Sequence, residues 1–554
     1  MKTQKPAHIQ TVFLIGAAIS VCFSANAAGP NVDAGSLLRQ TEQGLITPKK
    51  SPRKARRKVT PSKPATPNEV TVQIRRFEFA GNTLISSDAL NAVLESFTNR
   101  PLTLSQLKEA ADAITTTYRE AGWTVNAYLP KQEVSQGVVT IQVVEAVFGG
   151  ASVQGNQFER VEATHLVNMA EAMLSRGQPI HASDIDRTLL LLDDLPGISV
   201  AGNLVAGDGE GETNLVISAV DDALINGNAS TDNQGSVATG TDRLSVNLNI
   251  NSPAGMGDLI SINALKTQGS EYQRLAYSVP VGYTAWRAGI HASNLHYNVI
   301  APEFASLNPF GTARTSGLDL SYPIVRSQLQ NVNLALSYDD KQFDNSSNGA
   351  VTSYGIKVYN ATLSANQIDQ WNGGGITSAS ASLTSGDKST EDRYTKLNLS
   401  LSRLQTLDDA LSAYAAISTQ FANRNLDSSE KMYLGGATGV RAYPASEGGG
   451  GEGTTLTLEL RQRLAYNLTL TGFYDYGWVK ANHDNNVASP ANPNGYYLQG
   501  YGVSVAWQAT QAVDLKATLA QRLGSNPAAN STTGMDGDGT KKVTRIWFSA
   551  GVAY

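Results

Sequence analysis

From about residue 222 to the last residue, apolar and polar positions alternate every second residue, and no helical spacing appears. In RLSVNLNIN, Leu244, Val246, Leu248 and Ile250 share one side, with Ser245, Asn247 and Asn249 on the other. TKLNLSLSR sets Leu397, Leu399 and Leu401 against Lys396, Asn398, Ser400 and Ser402; LTLELRQ and VDLKATLA repeat the arrangement. A period of two is the mark of a strand with unlike faces. The runs predict about 16 strands, near 224–233, 242–251, 258–267, 273–282, 286–297, 313–323, 331–340, 354–366, 375–385, 394–404, 411–422, 454–464, 468–479, 497–508, 513–522 and 543–554. A soluble sandwich also alternates, but it buries its apolar face in a packed core. Here that face is modest in size and the other carries isolated charges. Tyr474, Tyr476, Trp478, Tyr496, Tyr497 and Tyr501 gather at expected strand ends. The pattern predicts an outer-membrane β-barrel of antiparallel strands with a polar lumen, and an even strand number suits closure.

Ahead of this region the period changes. Residues 70–79 read as a strand, AGNTL as a turn, and SSDALNAVLESF as a helix opened by serine caps. In LSQLKEAADAITTTYREAG, Leu107, Ala110, Ala111 and Ile114 fall on one helical face, and Gly122 ends it. WTVNAYLP and VVTIQVVEA follow as strands. The β-α-α-β-β order then recurs. Gly155-Asn156 repeats Gly81-Asn82, helices are expected over 159–175 and 183–194, and Pro196-Gly197 precedes two more strands. Two tandem α+β modules, 70–146 and 147–221, are expected ahead of a barrel over 222–554.

The first 27 residues combine Lys2 and Lys5, a short apolar run from Thr11 to Phe23, and Ala25-Asn26-Ala27, the layout of a cleaved secretory signal. Residues 28–44 contain a short helical segment. Residues 45–69 carry eight Lys and Arg residues and five prolines, and are expected to form a basic linker. The one cysteine, Cys22, lies inside the signal, so the exported chain is expected to have no disulfide, thiol chemistry or Cys-based metal site. The six histidines show no ligand spacing, and no nucleophile motif or triad order appears, so no catalytic residue, metal or cofactor is expected. A net charge of −5 gives no reason to expect nucleic-acid binding.

The chemistry concentrates in a loop over 425–453, long enough to suggest function. Its Val440-Arg441-Ala442-Tyr443 resembles the VRG(F/Y) motif of the Omp85 superfamily, with Ala442 where glycine is common. In GFYDYGWV, Phe473, Asp475 and Gly477 resemble that superfamily's FxDxG wall motif, and alternation points all three into the lumen. An arginine loop beside an inward carboxylate suggests a charge-assisted pair. The terminal run places Ile546, Phe548, Ala550, Val552 and Tyr554 on one face. It resembles the signal read by the barrel assembly machinery, carried by Phe548 and Tyr554.

The tandem modules resemble POTRA domains, the second through LLLLDDLPGISV and TNLVIS. Together with Thr231-Asp232-Asn233-Gln234-Gly235-Ser236 and Asn251 to Asp258, the chain from about 70 to 554 resembles the outer-membrane transporters of two-partner secretion, the hemolysin-activator and filamentous-hemagglutinin transporter family. The resemblance implies a transporter whose periplasmic POTRA domains capture an unfolded exoprotein, such as an adhesin or cytolysin, and whose barrel secretes it. It also implies a lumen-plug helix over 28–44, and partners comprising the exoprotein, outer-membrane lipid and the assembly machinery, with the transporter a monomer. The alternatives are an Omp85-type factor that assembles other barrels, and a passive porin. Two features carry no function. Gly448, Gly450 and Gly453 match a dinucleotide pattern outside any βαβ unit. Asp536 and Asp538 could face a cation but lack a full calcium loop.

Overall fold

The structure, a computed structural model, describes residues 32–44, 71–134, 136–155, 158–302, 305–445, 447–485 and 493–554. The expected signal over 1–27 and the basic segment over 45–69 lie outside the described residues.

Helix α1 (Ala34–Gly44) comes first. The first module comprises β1 (Thr71–Ile74), β2 (Arg76–Ala80), α2 (Ser87–Val93), β3 (Arg100–Thr103), α3 (Leu104–Glu120), β4 (Val125–Tyr128) and β5 (Val138–Glu145). The second comprises β6 (Val147–Gln154), α4 (Ala163–Met173), α5 (Ala182–Asp193), β7 (Ile198–Ala206) and β8 (Glu212–Asp221). Both sheets have one topology. β2 runs parallel to β5 as β6 does to β8, while β4 and β7 complete them antiparallel. Each module has its own core: Leu107, Ala110 and Ile114 of α3 pack on Phe77 and Ile141, and Leu166, Met169 and Leu192 pack on Leu215 and Ile217. Thr103 and Gln106 form a reciprocal capping box at the start of α3.

The modules differ from the sequence reading in four places. The run over 70–79 is two strands, because the Arg75 and Arg76 amides both donate to the Gly137 carbonyl and step the chain between sheets. β1 pairs instead with β3, whose sequence RPLT hides its strand behind a proline. The first helix stops at Val93, with a separate 3-10 turn over Glu95–Phe97, and α4 begins at Ala163 rather than 159.

The remaining strands are β9 (Ile225–Asp232), β10 (Arg243–Asn251), β11 (Leu259–Lys266), β12 (Ser270–Pro280), β13 (Arg287–Asn298), β14 (Phe310–Arg326), β15 (Gln330–Ser347), β16 (Ala350–Asp369), β17 (Gly375–Lys388), β18 (Tyr394–Thr406) and β19 (Leu411–Ala422). A long loop follows, with its own small ladder of β20 (Met432–Tyr433) and β21 (Gly449–Gly450). Then come β22 (Glu452–Arg463), β23 (Leu468–Lys480), β24 (Gly495–Gln508), β25 (Val513–Arg522) and β26 (Thr544–Ala553). β9–β19 and β22–β26 form a closed barrel of sixteen antiparallel strands. β14, β15 and β16 are longer than their hydrophobic runs. Beyond the bilayer both faces of a strand meet water, so alternation fades while the ladder continues.

Leu244, Ile290, Leu318, Leu401, Leu460 and Ile546 are exposed on the outer face, as a lipid-facing band requires. The inner face carries polar ladders, such as Asn226 to Asn249 and Ser380 to Ser400. Tyr497 and Tyr501 are exposed on the outer face, but Tyr496 turns inward onto the lumen cluster, because neighbours on a strand face opposite ways.

β26 meets β9 over five paired residues, while every other neighbouring pair in the barrel shares eight or more. Asn233 extends this seam, donating to the Ile546 carbonyl and accepting from the Phe548 amide. The Tyr554 and Gly227 backbones bond reciprocally below it. The second module docks on the opposite rim from the long loop. Asp194 takes a bidentate pair from Arg326 (2.7 and 2.8 Å), and Arg187 donates to the Pro323 and Ile324 carbonyls.

Candidate functional site in the barrel lumen

Two elements fill the lumen. The first is α1. Asp33 caps it, accepting from the Ser36 amide at 2.7 Å, which satisfies one of the donors of the first turn. Ala34, Leu37 and Leu38 bury one stripe against wall residues Tyr272, Leu295, Tyr297 and Phe343. The Ala34 amide donates to Asn345 on β15 at 2.9 Å. Gly35 lies against the base of the long loop, where a Cβ would come within 2.5 Å of Ser428 Oγ and 2.9 Å of the Ser429 amide nitrogen.

The second element is the loop between β19 and β22. Its base is a 3-10 turn over Ser428–Glu430. Ser428 donates to Asp33 at 2.7 Å, joining the loop base to the cap of α1. Glu430 is buried and ion-paired with Lys341 of β15 (2.9 Å) and Lys396 of β18 (2.7 Å). Gln420 donates to the Glu430 and Gly451 carbonyls. The turn is therefore fixed to both α1 and the wall.

At the loop's inner end, each residue of the wall motif has a distinct task. Arg441 forks onto Asp475, with Nε to Oδ2 and Nη2 to Oδ1 both at 2.8 Å, and its amide also donates to Oδ2 at 3.1 Å. The guanidinium lies 3.5 Å over the Phe473 ring. At Gly477 a Cβ would press to 2.9 Å on Val440 Cγ2, so the missing side chain makes room for the loop. Arg441 is 6 % exposed and Asp475 1 %, so the pair is dry, not bathed by an open channel.

Ala442 carries no conformational cost, since it is not among the positive-φ residues. Its methyl packs over Gly500, where a Cβ would come within 2.5 Å. Tyr443 is fully buried beneath Arg522, whose guanidinium lies 4.3 Å from the ring centre. Phe548 and Tyr554 stay on the outer face, away from this cluster. Asp536 and Asp538, considered above for a cation, instead pair with Arg522 and Arg545.

Several site residues escape the motifs. Glu459 accepts from Arg441 Nη1 at 2.8 Å and from Arg461 at 2.7 Å, giving the arginine a second carboxylate. Its signal was available, as an acid at an inward position of LTLELRQ one strand from Asp475. Trp547 donates to the Arg441 carbonyl at 2.7 Å, and only the fold brings them together. Glu430 and its two lysines come from three distant segments.

A sixteen-stranded barrel with two POTRA modules on one rim and a ligated helix and loop in its lumen defines the Omp85 type of outer-membrane transporter. The chain belongs to the haemolysin secretion/activation protein ShlB/FhaC/HecB family, whose model matches residues 211–506, and the ShlB-type POTRA domain model matches residues 72–146. It is 26 % identical over 529 residues to the Heme/hemopexin transporter protein HuxB of Haemophilus influenzae (strain 86-028NP), covering 89 % of this chain and 92 % of that one. It is 24 % identical over 423 residues to the Outer membrane transporter CdiB of Dickeya dadantii (strain 3937), covering 72 % and 74 %. Its fold is similar to CdiB from Escherichia coli, with a TM-score of 0.69 at 19 % identity over 90 % of this chain and 93 % of that one. BamA from Haemophilus ducreyi, lacking POTRA domains 1-3, gives 0.54 at 12 % identity, over 88 % and 100 %. The protein is thus an outer-membrane exoprotein transporter of the two-partner secretion type, with its POTRA domains in the periplasm.

Proposed function

We propose that the chain captures an unfolded exoprotein through its POTRA pair and passes it through the lumen once α1 and the Arg441 loop give way. The observation that carries this is the double occlusion. Both elements fill the lumen, and both are held by side-chain ion pairs and hydrogen bonds rather than by the barrel ladder. Such contacts break without opening the barrel. The exposed strand β7, an edge of the second sheet, offers a backbone to which an extended client can add. Val440, Arg441, Ala442 and Tyr443 are the gate residues in this reading, and Phe473, Asp475 and Gly477 their seat.

A secreted exoprotein as the client is supported by the relatives, one of them named as a heme/hemopexin transporter and another as an outer-membrane transporter. The same reading has the assembly machinery insert the chain as a monomer among outer-membrane lipids, guided by Phe548 and Tyr554. It divides the chain near 44, 69, 146 and 221. The test is secretion by whole cells. Replacing residues 71–221 with an unrelated soluble domain should leave a heat-modifiable barrel and abolish export. Continued export would remove capture from the account.

A further inference from the structure

The wall motif holds only one limb of the lumen loop. The return limb, after Tyr443, runs past Glu447 and four consecutive glycines, Gly448–Gly451, into β22. Glycines offer no side chain to anchor, and Glu447 is the one ionisable residue between Pro444 and Gly451. It is 5 % exposed. Its partners lie in the last extracellular loop, residues 523–543, between β25 and β26. Oε1 accepts from Asn526 Nδ2 at 2.9 Å, and Oε2 accepts from the Gly537 amide at 2.8 Å. The Glu447 carbonyl accepts from the Gly435 amide at 2.9 Å, which ties the return limb to the outgoing one.

The partner loop is itself fastened. Asn526 donates to Asp536 at 2.9 Å, Asp536 pairs with Arg522 of β25 and Arg545 of β26, and Asp538 pairs with Arg545. We propose that Glu447 is a positioning residue for the Arg441 loop, and that the last extracellular loop is the clasp that holds it. The consequence for secretion rests on the gate reading above; the clasp itself does not.

The titratable groups facing Glu447 are Asp536 and Asp538 of the clasp, themselves paired with Arg522 of β25 and Arg545 of β26, with Tyr443 of its own loop and Tyr496 of β24. Burial raises the Glu447 carboxyl above its ordinary range, and Asp536 and Asp538 add to this, against the opposing bonds from Asn526 and Gly537. A carboxyl that protonates more readily in the clasp than in water favours the clasped state at low pH. The clasp therefore loosens as pH rises through that raised value.

Amide hydrogen exchange of the full chain in detergent micelles, at pH 5 and pH 8 and corrected for intrinsic rates, tests this. Glu447→Ala should speed exchange over 432–450 at least about tenfold, as loss of a hydrogen-bonded charge predicts, with the barrel strands unchanged. Asn526→Ala should move the same segment in the same direction. Glu447→Gln carries no charge and keeps one acceptor for Asn526 but sets an NH2 against the Gly537 amide, so it should speed exchange less than Glu447→Ala and lose the pH dependence. Wild-type protection of 432–450 in either folded alanine variant would overturn the clasp. Faster exchange with undiminished secretion would support the clasp and overturn the gate reading instead.

Discussion

Removing the Arg441 side chain is the most informative single perturbation. Arg441→Ala deletes two 2.8 Å bonds to Asp475, one to Glu459 and the contact with the Phe473 face. Glu459 keeps Arg461, but Asp475 keeps only Thr457 at 3.2 Å and the residue 441 amide at 3.1 Å, at a site almost without water. Stranding a buried charge in this way costs about 3–5 kcal/mol. At about 1.4 kcal/mol per decade, the seated loop loses roughly a hundredfold to a few thousandfold of its population advantage. Asp475→Ala is milder, because Arg441 retains Glu459; roughly 1.5–3 kcal/mol is expected for bonds to a charged group. The double variant should be no worse than Arg441→Ala, since both changes break one interaction. Arg441→Lys should recover little, as an ammonium cannot fork onto a carboxylate. The sixteen-strand ladder is untouched, so heat-modifiable barrel should persist in the outer membrane while secretion falls sharply. Two small, additive losses of secretion, or wild-type secretion by Arg441→Ala, would refute the seated-loop reasoning.

Gly35→Ala should push α1 off the loop base, because the added methyl meets Ser428 Oγ and the Ser429 backbone; planar-bilayer recordings should show a higher open probability, and unchanged currents would count against the contact. Deleting 32–44 should raise conductance further while leaving the barrel folded, as read by heat modifiability. In the first POTRA domain, burial alone would raise the Glu145 carboxyl, but bonds from Thr83, Leu84 and Tyr118 outweigh it and hold it below its ordinary range. The stability it contributes is present above the ordinary carboxylate range and is lost as pH falls through the depressed value. The melting temperature of a 71–221 fragment should therefore drop on acidification, and Glu145→Gln should flatten that slope; an equally steep slope in the variant would assign the acid loss elsewhere. The same fragment should bind an N-terminal piece of the client at about micromolar to tens of micromolar affinity in a calorimetric titration, and no heat of binding would argue against capture.

The strand count and the paired modules were legible because each rests on local periodicity. A lipid-facing position must be apolar and its neighbour need not be, so the chain itself records which residues face out. The strand β3 was not legible, since RPLT is four residues long, carries a proline and shows no apolar–polar alternation until β1 selects it. Arg441 and Asp475 stood out through their resemblance to the loop and wall motifs of the Omp85 superfamily, but their dryness did not, because it depends on Val440, Tyr443 and Phe473 closing around them. Glu430 with Lys341 and Lys396, and Glu447 with Asn526, join segments about 90, 34 and 79 residues apart in sequence. No local pattern encodes such pairings; they exist because a closed barrel brings distant hairpins round to face one another.

The central claim is that the client crosses through the lumen, past the Arg441 loop. Site-specific photo-crosslinking to a client stalled by a folded C-terminal fusion tests it most directly. Probes belong at Ser400, which faces inward and bonds Ser380, and at Leu401, its lipid-facing neighbour. The account predicts client adducts at Ser400 and none at Leu401. Adducts at Leu401 alone, or none at Ser400 in cells that accumulate the stalled client, would contradict it.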